Sequence, residues 1–129
     1  MEIKINFTGN KKMDAVFDEY IIKCDQPLDN DGDASAPSPY DYFLASTALC
    51  AGYFVKAYCD SRNLAVEGIK LSQNNNRDTQ NKYKQIIDLQ IQFPESFSQK
   101  DKDGIVRAIQ GCSVKKTIQE VPEFKISVI

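Results

Sequence analysis

The sequence contains no histidine, and that one absence removes imidazole general bases, histidine-containing metal sites and Cys–His nucleophile pairs together. Any chemistry falls to thiols, carboxylates, tyrosine, lysine or arginine. There is no Cys-x-x-Cys either, so the chain carries neither a thioredoxin-type motif nor a zinc knuckle. A surplus of basic charge is missing: 16 Lys and Arg stand against 18 Asp and Glu, a net charge of −2. No broad basic surface is left for a phosphate backbone, and nucleic acid is excluded as an expected partner. From Glu2 to Phe7 charged and apolar residues alternate, where a signal peptide would have an apolar block. The longest apolar stretch, Tyr42 to Tyr58, is broken by Ser46, Thr47 and Lys56 and falls short of the ~20 residues that cross a bilayer. These absences lead us to expect a cytoplasmic protein with no membrane partner, its four cysteines kept as reduced thiols. No cofactor and no metal is implied.

What remains suits one domain spanning residues 1–129, with 42% hydrophobic and 26% charged residues to build a core and a surface. Ile3, Ile5 and Phe7, then Met13, Ala15 and Phe17, alternate with polar residues at the period of a half-buried strand, and Thr8 to Lys11 reads as the turn between them. Tyr20 to Asp25 extends the meander as a third strand. Gln26 to Pro37, rich in Pro, Asp, Asn, Gly and Ser, is a loop. Ser38-Pro39-Tyr40-Asp41 then supplies an N-cap serine, a proline at the first helical position and a carboxylate three residues after the cap. The helix that follows, Tyr42 to Asp60, is apolar nearly all round and needs cover on most sides. Asn63 is its left-handed stop.

Ile69 and Leu71 open a strand, and Ile87, Leu89, Ile91 and Phe93 form its partner, with Asn74 to Asp78 as the expected turn. Ser98 to Asp101 repeats the cap pattern before a second helix with Ile105, Val106 and Ile109 on one face, ending near Gly111. Ser113 to Gln119 gives a further helical turn or two, and Phe124, Ile126 and Val128 a closing strand. Strands grouped together beside two helices define an α+β fold, not a parallel βαβ sheet.

Among the four cysteines, Cys50 lies in mid-helix, where a free cysteine is by default a small apolar filler. Cys112 follows a helix stop and precedes a turn bearing Lys115 and Lys116. Backbone N–H groups at a helix start and nearby ammonium groups stabilise thiolate, lowering a thiol pKa from ~8.5; the plainer reading is an inert half-buried thiol. Cys59, nine residues after Cys50, falls on the opposite helix face and cannot pair with it. Cys24 follows the rhythm of an apolar strand face and reads as packing. Asp29, Asp31 and Asp33 mimic the start of a calcium loop, but Ala34 and Tyr40 occupy the positions where its glycine and closing glutamate belong. A solvated acidic loop fits better. Lys11 and Lys12 read as an exposed hairpin tip.

The segment from Ser35-Ala36-Pro37-Ser38-Pro39-Tyr40 to Ala48-Leu49-Cys50 resembles the proline-capped, small-residue helix that leads to the first cysteine of OsmC/Ohr proteins. Gly111-Cys112-Ser113-Val114-Lys115-Lys116-Thr117 is similar to their second-cysteine segment, and the element order agrees across essentially the whole chain. The resemblance implies an OsmC-like fold with antiparallel sheets around two central helices in an intertwined homodimer. It also implies a peroxidase that reduces organic hydroperoxides: Cys50 would attack the peroxide and become a sulfenic acid, Cys112 would resolve it as a disulfide, and a dithiol reductant would restore both. The chain departs from the efficient reductases at Tyr40, where they carry glutamate beside the position of Asp41, and at Lys11 and Lys12, where they carry a hairpin arginine able to hold thiolate and peroxide together. Those departures support the alternative of a non-catalytic binding or dimerisation module. Through Tyr42 to Ser46, Leu71 to Asn75 and Val114 to Lys116 the chain further resembles the OsmC-like domain that precedes YcaO-type domains, which leaves a longer parent protein open.

Overall fold

The computed structural model describes residues 1–129 and comprises two small antiparallel sheets and three α-helices. It resolves into two units, Met1–Ala45 and Ser46–Ile129, with the boundary inside the first helix.

In the first unit β1 (Lys4–Gly9), β2 (Lys12–Phe17) and β3 (Tyr20–Cys24) form the meander expected from alternation. Ile5 lies opposite Ala15, which lies opposite Ile22, so the apolar residues share one face. With Met13, Cys24, Pro39 and Tyr42 they line an open apolar groove. The strand β1 is more exposed than a half-buried pattern predicts, because only β2 has a neighbour on both edges.

The loop after β3 is organised by Asp25, which is fully buried. Its carboxylate accepts from Ser35 Oγ (2.6 Å), Gln26 N (2.7 Å), Ser35 N (3.0 Å) and Asp33 N (3.5 Å). The Ser35 hydroxyl and N–H bonds, aided by those from Gln26 and Asp33, outweigh burial and hold the carboxyl down at about 2. Gly32 completes the loop, since a Cβ there would lie 1.9 Å from Gln26 O. Asp33, one of the acidic trio, turns to Lys12 (2.8 Å).

Helix α1 (Pro39–Ser61) starts as the sequence dictates. Ser38 Oγ accepts from Asp41 N (3.2 Å), and Asp41 Oδ2 accepts from Ser38 N (2.8 Å). Tyr42 donates its hydroxyl to Lys23 O (2.6 Å), pinning the helix start to β3. The helix ends before Asn63, whose φ of 53° is the expected left-handed stop.

In the second unit, the stripe Thr47, Ala51, Val55 and Cys59 of α1, spaced by four, is the buried face. Ala51, Val55 and Cys59 form a core with Phe97, Ile105 and Ile109, flanked by Leu71, Leu89 and Ile91 of the second sheet. That sheet pairs β4 (Lys70–Arg77) with β5 (Gln85–Gln92), Leu71 opposite Ile91 and Gln73 opposite Leu89. Here the structure corrects the expected turn: Asn74 to Arg77 continue the ladder, and the reversal falls at Asp78 to Lys84. Asn75 and Asn76 pair with Ile87 and Ile86, so the β-propensity of the partner strand overrides the turn propensity of asparagine. Asp78 then accepts from Gln80 N and Asn81 N, the local bonding that asparagine was expected to supply.

Helix α2 (Gln99–Ile109) is capped by Ser98, which accepts from Asp101 N (3.1 Å). It crosses α1 closely at Gly104, where a Cβ would lie 2.3 Å from the Tyr58 hydroxyl oxygen. The short helix α3 (Ser113–Gln119) follows. The expected closing strand does not form: residues 121–129 adopt no regular structure, and Phe124, Ile126 and Val128 are almost fully exposed. Alternation marks a segment able to pair, but a strand also needs an edge to pair with, and none in this chain takes it.

Candidate functional site

Cys50 on α1 and Cys112 at the start of α3 come together in the second unit, each thiol shifting the acidity of the other and both free. Cys112 sits at the N-cap of α3, where its Sγ accepts from Lys115 N (3.4 Å). The preceding Gly111 leaves room for the Phe54 ring, which a Cβ would approach to 3.2 Å. Cys50 receives the backbone N–H groups of Ser113 and Val114 and the hydroxyl of Ser113. The turn that follows Cys112 is thus folded around the other cysteine.

The electrostatic outcome reverses the sequence expectation for Cys112. Burial raises that thiol first, and its bond to Cys50 raises it further, against the N–H groups that would lower it. At Cys50 burial also acts upward, but the bonds from Cys112, Val114 and Ser113 together bring the thiol below its ordinary value. The sequence places α3 beside Cys112, and only the tertiary fold shows that its donors point at Cys50. Ser113 was not singled out from sequence; a hydroxyl directly after a cysteine at a helix start was the available signal. Cys24 and Cys59 are raised, chiefly by burial, and neither meets another thiol.

The four supporting residues expected from resemblance lie in the first unit, each with a local role. Asp41 is engaged by the Ser38 hydroxyl and N–H, which hold its carboxyl low. Tyr40 stacks on Phe43 at 5.7 Å. Lys12 is paired with Asp33, and Lys11 is exposed at the hairpin turn.

Beside Cys112 lies a largely apolar cavity of about 210 Å³, walled by Ala51 of α1, Leu89 of β5, Ile109 of α2 and Ile118 of α3, with Thr47, Cys112, Gln119 and Lys115, whose ammonium donates to Gln110 Oε1, as its polar lining. Cys50 is not in its wall.

On an α+β fold the chain thus seats a mid-helix thiol beside a second thiol at a helix start. The OsmC-like protein family matches residues 32–127, and the chain belongs to the OsmC family. Three solved structures share the fold. A protein of Psychrobacter arcticus 273-4 named for osmotic stress induction and detoxification response is 19% identical, covers 89% of this chain and 85% of its own, and superposes with a TM-score of 0.72. The OsmC like protein of Mycoplasma pneumoniae is 18% identical over 93% of this chain and 87% of its own, with a TM-score of 0.70. The organic hydroperoxide resistance protein OsmC of Legionella pneumophila is 14% identical over 92% and 88%, with a TM-score of 0.61. Among curated proteins no relative matches this sequence. No helix is long and apolar enough to cross a membrane.

Proposed function

We propose that the protein is a thiol-dependent peroxidase of the OsmC type, reducing organic hydroperoxides through Cys50 and Cys112. The observation that carries this reading is the meeting of the α1 thiol Cys50 with Cys112, the N-cap residue of α3, an arrangement that makes Cys50 more acidic and Cys112 less. A thiolate at Cys50 attacks the terminal peroxide oxygen; the O–O bond breaks, Cys50 becomes a sulfenic acid and the alkoxide leaves as alcohol after taking a proton. Cys112 then attacks the sulfenic sulfur, water departs, and a disulfide joins the two residues. A dithiol reductant closes the cycle.

A second reading, a non-catalytic binding or dimerisation module, is favoured by the engagement of Asp41 and Lys12 in local contacts. Steady-state turnover of cumene hydroperoxide with dithiothreitol separates the two. The peroxidase reading expects turnover in the wild type, its loss in Cys50→Ser, and a single oxidation followed by a stall in Cys112→Ser. A wild type inert toward both cumene hydroperoxide and hydrogen peroxide gives the binding module.

A further inference from the structure

Helix α3 begins on sulfur. Its N-cap is Cys112, whose Sγ accepts from Lys115 N (3.4 Å), while the N–H groups of Ser113 and Val114 are directed to Cys50. These are amides of the first turn, which have no partner inside their own helix. The first bond within the helix comes at Lys116, whose N–H donates to Cys112 O (3.0 Å). A thiol thus stands where a helix start favours Ser, Thr, Asp or Asn, and where α2 has Ser98.

Little else holds α3. It has 7 residues, none of them fully buried, and is far shorter than the ~12–15 residues below which an isolated helix is marginal in water. The chain that follows, residues 121–129, has no regular structure to brace it. We propose that α3 is a redox-sensitive element, ordered while Cys112 is a free thiol and frayed at its first turn when Cys112 is joined to Cys50 in a disulfide. This inference rests on the two-cysteine reading above and adds to it a change of shape that separates the oxidised protein from the reduced one.

Disulfide formation takes two electrons and two protons from the thiols, and the hydroperoxide accepts them, leaving as alcohol and water. The new S–S bond is ~2.0 Å long, shorter than any hydrogen bond. Cys112 Sγ has to turn toward Cys50 to make it, and so away from Lys115 N. The Lys115 amide then loses its acceptor. Cys50, which as a thiolate accepts charge-assisted bonds from the Ser113 and Val114 N–H groups, becomes a neutral sulfur and a weak acceptor. One reaction therefore empties the cap and weakens the bonds beside it. Reduction restores both, so the change is reversible.

The test is amide hydrogen exchange of the full chain, followed residue by residue by NMR, before and after oxidation with diamide. Diamide joins neighbouring thiols whether or not the protein is a peroxidase, and peptide mass mapping identifies the bond formed. The expected result is exchange at Lys115 and Lys116 roughly tenfold faster in the oxidised protein, the change that loss of an N-cap of ordinary strength gives. Val55 of α1 and Ile109 of α2 should exchange no faster. Cys112→Ser keeps a capping oxygen and cannot form the disulfide, so its α3 amides should exchange slowly before and after diamide. Fast exchange in that variant after diamide would lay the loosening on the reagent and overturn the switch. So would a confirmed disulfide with unchanged rates at Lys115 and Lys116, or with faster exchange spread over α1 and α2, and in either case the two-cysteine reading stands. If diamide forms no Cys50–Cys112 disulfide, that reading fails and the switch has no trigger.

Discussion

Cys50 owes its acidity to groups brought in by a different element, so the effect should be separable from the cysteine itself. Replacing Cys112 by Ala removes the thiol bond that lowers Cys50 while leaving the α3 N–H groups in place. The pH midpoint for alkylation of Cys50 by iodoacetamide is expected to lie below that of an ordinary thiol in the wild type and to rise in Cys112→Ala; an unchanged midpoint would place the acidity elsewhere. Asp25 offers a second test, in stability. Its folded pKa, about 2, lies below the ordinary carboxyl value of 3.8, so its stabilisation is present above 3.8 and is lost as pH falls toward 2. Asp25→Asn should therefore lower the melting temperature by several degrees at pH 7, with the gap to wild type closing between about pH 4 and pH 2. A gap of constant size would mean that the loop depends on the shape of the side chain and not on its charge.

At the scale of elements, α1 and α2 meet where Gly104 accepts the Tyr58 ring, whose hydroxyl donates to Asp101 (3.1 Å) and whose face carries the Arg62 guanidinium at 4.9 Å. The ring is held from both ends, so a methyl group at position 104 cannot be relieved by a simple swing. Gly104→Ala gains up to ~1 kcal/mol in helix propensity, but overpacking of this kind costs ~1–3 kcal/mol. A net loss is expected in urea unfolding, and Tyr58→Leu combined with Gly104→Ala should be less destabilising than the sum of the single changes. The sequence showed the starts of α1 and α2 accurately, because Ser38, Pro39, Asp41, Ser98 and Asp101 act within one turn of chain. It did not show the β4–β5 turn or the fate of Phe124, Ile126 and Val128, which are decided by distant pairing partners. The site was legible to the same extent. Cys50 and Cys112 could be named from their segments, whereas the thiol that becomes acidic depends on which side of α3 faces α1.

At the scale of the whole molecule, the feature still to be accounted for is the outward side of α1. Full burial is confined to the stripe Thr47, Ala51, Val55 and Cys59, while Leu49 is 74% and Tyr53 66% exposed on the same helix. We propose that a second copy of the chain covers this side, forming a homodimer with an interface of the obligate class. Light scattering should report twice the 14.6 kDa chain mass at micromolar concentration; a well-folded monomer there would refute it. If the second copy is needed to complete the fold, folding and association are a single equilibrium, and mass action makes stability depend on the amount of protein present. The melting temperature should then climb with concentration, and dilution alone, with no denaturant and no change of pH, should be enough to unfold the chain.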